Sequence, residues 1–63
     1  MAADIPIYVQ DRAQPDTAEA AGSASPYARP WEVANIVGIP RHRLIETRIV
    51  RQKGERHWLV VAA

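Results

Sequence analysis

The stretch PWEVANIVGIPRHRLIETRI, residues 30–49, decides how this chain is read. Apolar residues fall at 31, 33, 34, 36 and 37, and Val33, Ile36 and Val37 share one helix face at i, i+3 and i+4 spacing. Pro30 suits the first helical position, where its missing N–H costs no hydrogen bond. Gly38 stops the helix through a sharp turn with positive φ. Pro40 stands at the start of a second predicted helix running to about Glu46 or Thr47, with Leu44 and Ile45 facing inward. Ala34 is small enough for the second helix to cross the first closely.

The pattern changes after Thr47. β-Branched Ile49 and Val50 lead into a turn at Lys53-Gly54, and His57 to Ala62 forms a second apolar run. Two β-prone runs around a short glycine-containing loop predict a hairpin with its tip at Lys53-Gly54. Upstream, Ile5, Ile7 and Val9 alternate in a β-prone run that Pro6 assigns to an edge strand or an extended arm. This run also suits a third strand on the hairpin. Asp11 to Pro26 is rich in Ala, Ser, Gln and Pro and reads as linker. Within it, Asp16 to Gly22 is predicted as one or two helical turns. The predicted core is Trp31, Val33, Ile36, Val37, Leu44, Ile49 and Leu59.

Charge divides along the chain. Residues 1–28 hold one arginine against four carboxylates, and residues 29–63 hold seven Lys and Arg against three carboxylates. An acidic arm over 1–28 and a basic working module over 29–63 follow. Six of the seven basic residues in the second part are arginine, whose planar fork matches phosphate and guanine edges. The 63 residues suffice for one small domain and contain no cysteine. His42 and His57 lack the companions of a zinc site. No cofactor is expected. No apolar run reaches membrane-spanning length, and a cytoplasmic location, or one inside a virion, is expected.

Helix, turn, helix and hairpin in this order resemble the helix-turn-helix of small winged-helix and excisionase-like DNA-binding proteins. The fold class implied is α+β, a small winged-helix-like module with an extended N-terminal arm. The resemblance implies a phage or mobile-element regulator that binds double-stranded DNA sequence-specifically. Arg41, His42 and Arg43 would then enter the major groove, and Glu46 would accept from cytosine. Arg48, Arg51, Lys53 and Arg56 complete the implied DNA-binding set, those on the hairpin contacting phosphates.

A second expectation comes from the arm. Ile5, Ile7, Tyr8 and Val9 suit strand addition to a partner protein, as in a small subunit of a virion or other assembly. Homo-oligomerisation fits either role. Enzymatic chemistry is not expected: there is no phosphate-binding glycine loop, no nucleophile beside a base, and no paired carboxylates in a pocket-forming context. The ending Val60-Val61-Ala62-Ala63 resembles the small apolar tails read by bacterial unfoldases.

Overall fold

A computed structural model describes residues 4–63. The elements in order are β1 (Ile5–Asp11), β2 (Ala18–Ala24), α1 (Pro30–Val37), a three-residue 3-10 turn (Arg41–Arg43), β3 (Leu44–Gln52) and β4 (Glu55–Ala62). The strands form one sheet in the order β2-β1-β4-β3. β1 and β2 are antiparallel, as are β3 and β4, and the two hairpins join through a parallel β1–β4 seam. The helix packs on one face of this sheet.

The winged-helix expectation is therefore corrected: the molecule is a mixed four-stranded sheet with one short helix. The first helix forms as its spacing predicts. Glu32 accepts a hydrogen bond from the Arg29 backbone N–H at 3.5 Å. Gly38 ends the helix with φ 80°. The Ile39 N–H reaches back to the Ala34 carbonyl at 3.0 Å, and Gly38 N–H to Asn35 at 3.1 Å. This double closure satisfies two orphan carbonyls and turns Ile39 into the core.

The second helix does not form. Pro40 is extended at ψ 147°, one turn closes from Arg43 N–H to the Pro40 carbonyl at 3.0 Å, and Leu44 is already strand. Ile45, Thr47, Ile49 and Val50 prefer pleated backbone, and a helix here would strip the apolar strand β4 of its antiparallel partner. The ladder instead runs from Leu44 opposite Ala62 to Gln52 opposite Glu55, with a bulge at Ile45. The hairpin tip lies where the sequence puts it. Lys53 (φ 53°) and Gly54 (φ 79°) are both left-handed, as a two-residue type I′ turn requires.

The extended arm is corrected as well. β1 is an interior strand between β2 and β4, paired on both sides. Pro6 is tolerated because the β1–β4 ladder begins at Ile7 and the β1–β2 register is irregular between Pro6 and Tyr8. The segment read as linker and short helix contains β2, whose small residues pair with β1 from Ala18 to Ala24. β2 needs few large side chains because β1 supplies the apolar contacts.

The core is built from Ile5 and Ile7 of β1, Ala24, Val33 and Ala34 of α1, Ile39, and Trp58, Val60 and Ala62 of β4. Of the residues expected there, Val33 is fully buried and Val37 and Leu44 pack half-buried against the core, whereas Leu59 is half-buried on the opposite face of the sheet, across from Arg48. Trp31, Ile36 and Ile49 are exposed instead, at 43%, 50% and 38%. Helical geometry gives the reason. Val33, Ala34 and Val37 turn inward, and Trp31 and Ile36 lie about 140° apart on the two flanks of the helix.

Candidate functional site

The residues expected to contact DNA are divided between the two ends of β3. Arg41, His42 and Arg43 sit on the 3-10 turn before the strand, and Arg51, Lys53 and Arg56 cluster at the hairpin tip. At the rise of an extended strand these groups are roughly 25 Å apart. Arg43 is engaged in the fold. Its guanidinium contacts the Asp11 carboxylate at 3.0 Å and the Ala63 carbonyl at 2.9 Å, and its backbone carbonyl accepts from Ala63 N–H at 2.8 Å. It ties the 3-10 turn to the far ends of β1 and β4. Arg41 and His42 are exposed on the same turn, without a recognition helix to aim them.

Glu46 and Arg48 pair with each other at 3.8 Å on the sheet face opposite the helix. Both are solvent-exposed, so the pair contributes little. On that same face Tyr8 packs edge-on over His57, ring centroids 4.5 Å apart. His57 is 6% exposed, and its Nδ1 has no hydrogen-bond partner among the described residues. Its Nε2 lies 3.8 Å from Glu55. Ile5 and Ile7, expected on a partner, are buried in this chain's own core, and Val9 packs against that core. They are not free for strand addition.

The hairpin tip is arranged differently. Arg51 and Arg56 are directly opposite each other across the β3–β4 ladder. Like charges at such a position destabilise a sheet. Between them the turn places Lys53, rather than Asn, Asp or Gly, in a left-handed backbone position that side-chain-bearing residues disfavour. None of these three cations has a salt-bridge partner among the described residues. The neighbouring carboxylates are turned elsewhere. Glu55 lies toward His57, Glu32 toward the Arg29 N–H, and Asp4 accepts from the Ser23 hydroxyl at 3.5 Å.

Register shows what else stands at this end. Ile7 aligns with Trp58, so the beginning of β1 lies beside the beginning of β4, and Ala24 closes β2 opposite Ile5. The loop from Ser25 to Arg29 and the first turn of α1 therefore rise at the end of the sheet that carries the hairpin tip. The Ser25 carbonyl accepts from the Trp58 indole N–H at 3.2 Å and from Ala28 N–H at 3.0 Å, and the Ser25 hydroxyl accepts from Tyr27 N–H at 3.2 Å. This pinned loop presents Tyr27 at 85% exposure.

Ile36 lies over β2, where its Cγ2 would meet a Cβ on Gly22 at 3.2 Å. Trp31, on the other flank of α1, is thus directed to the β3 side. There the helix leaves Ile49 exposed, and strand alternation puts Ile49, Arg51 and Arg56 on the helix-bearing face with Trp58. The loop and helix start that carry Tyr27 and Trp31 thus stand at the same end of the sheet as the hairpin tip that carries Arg51, Lys53 and Arg56. On sequence alone Trp31 belongs to the core, and the structure exposes it instead. The signal against this is that Val33, Ala34 and Val37 already fill the inward face of so short a helix.

Among the described residues there is no pocket, no group of three or more metal-ligating side chains, and no helix long and apolar enough to cross a membrane. Compared with family models, curated proteins and solved structures, the chain gives no significant match.

Proposed function

We propose that this chain is a small non-enzymatic nucleic-acid-binding module that grips the phosphate backbone with its β3–β4 hairpin. One observation carries the reading: Arg51 faces Arg56 across the ladder, and Lys53 occupies a left-handed turn position between them. Each feature costs stability in the isolated chain. An anionic partner converts that repulsion into binding energy, because bringing phosphates to the cations relieves it. Base-edge reading by Arg41, His42 and Arg43 depends on a helix that is absent, so the proposal concerns the backbone of the nucleic acid.

Fluorescence anisotropy with labelled oligonucleotides across a salt series tests this. If Arg51, Lys53 and Arg56 each neutralise one phosphate, log K should fall with log salt at a slope of about −2 on single strands and about −3 on duplex. The double variant Arg51→Ala/Arg56→Ala should lose most of that slope. Binding that is indifferent to salt, or to both arginines, would reject the proposal.

Lys53→Asn separates function from folding. Asn-Gly is the preferred pair for this turn, so the melting temperature should rise. The same change removes one cation, and the salt slope should shrink by somewhat less than 1. A variant that is more stable and binds as before would show that Lys53 has no part in binding.

A further inference from the structure

We infer that the hairpin end takes unpaired bases, so that its ligand is single-stranded rather than duplex nucleic acid; this rests on the phosphate-binding reading above. Tyr27 and Trp31 are the two exposed aromatic side chains among the described residues, at 85% and 43%, and both belong to the loop and helix start at this end of the sheet. They come from a loop and a helix start that are held in place, not from a free segment. The Ser25 carbonyl anchors the loop to the buried Trp58, and the Glu32 carboxylate closes the first turn of α1 on Arg29. A rigid, exposed ring is a stacking platform, since every base has a π-face to lay on it. In a duplex those faces are stacked inside the helix and cannot reach a ring on a flat protein surface.

The cations stand where such a strand needs them. Arg51 and Arg56 share the helix-bearing face with Ile49, on the flank to which Trp31 is directed, and Lys53 marks the outer limit of that surface. Bases laid on Trp31 and Tyr27 leave the sugar–phosphate chain to run along the hairpin. Charge complementarity selects the occupant: an apolar peptide would leave Arg51, Lys53 and Arg56 unpaired beside it, and a strand of nucleotides satisfies both the rings and the cations.

The test uses the full chain with a short oligothymidylate, which has no secondary structure, and a duplex of equal length. The single strand should bind tighter and quench the exposed Trp31 emission, with the buried Trp58 emission unchanged. Trp31→Leu should weaken oligothymidylate binding roughly tenfold, with the salt slope retained. Tyr27→Ser, at a site too exposed to disturb folding, should weaken it in the same direction. Equal affinity for the duplex, or Trp31→Leu and Tyr27→Ser variants that bind oligothymidylate like the parent, would overturn the inference. In that event continued loss of binding in Arg51→Ala/Arg56→Ala would leave the phosphate-gripping hairpin standing. Absence of binding to either probe by the full chain overturns both.

Discussion

Ile7→Ala should leave the protein largely unfolded at room temperature. Ile7 has no exposed surface, lies on an interior strand, and sits beside Trp58 beneath the helix. Truncating a fully buried isoleucine costs about 2–5 kcal/mol, transfer and cavity terms together. A chain of this size has roughly 3–9 kcal/mol of stability in total. The loss is therefore of the same order as the whole. Urea or thermal denaturation followed by circular dichroism gives the answer directly. Ile45→Ala is the control, because Ile45 is exposed at the β3 bulge and its loss should shift stability by less than about 0.5 kcal/mol. Equal melts for the two variants would mean that β1 is not part of the sheet.

Trp58→Ala should be as damaging for a different reason. Removing a buried tryptophan costs about 3–5 kcal/mol. Here the indole also donates to the Ser25 carbonyl at 3.2 Å, which fixes the loop leading into α1. Trp58→Phe separates the two contributions. It keeps most of the apolar volume and loses the hydrogen bond, so it should fold with a loss near 1 kcal/mol. The Tyr27 loop should then become an early site of proteolysis. A Trp58→Phe protein with the parental melt and the parental protease resistance would show that the indole N–H does not hold that loop.

The sequence made some of this legible. Pro30 and Gly38 bracket α1 because their backbone preferences are local and strong, and the structure keeps both ends. The β3–β4 hairpin was legible from Lys53-Gly54 between β-prone runs. The sequence predicts a second helix here because Arg41 to Arg43, after Pro40, do turn helically, as one 3-10 turn. What overrides it is non-local: β4, lying later in the chain, needs a partner as long as itself. β2 was illegible for a related reason. Ala18 to Ala24 has no alternating apolar signal, and it becomes a strand through pairing with β1 and packing beneath Ile36 of α1. At the candidate site, Arg51, Lys53 and Arg56 were visible as a basic hairpin. Trp31 and Tyr27 were hidden, because a tryptophan in a small chain is usually core, and the crowding of α1's inward face appears only once the helix length is known.

The central seam of the sheet has a consequence for how the molecule comes into being. Ile7 pairs with Trp58 and Asp11 with Ala62, so strands from opposite parts of the sequence must meet before either hairpin has a covered face. Contacts of such sequence separation are slow to close, because the entropy of the intervening loop is lost before the seam rewards it. During synthesis β1 emerges with its apolar residues long before β4 exists. Until residues 58–62 are free, Ile5, Ile7 and Val9 stand exposed on a strand without its permanent neighbour, which is the interval in which this chain is open to aggregation or to a chaperone.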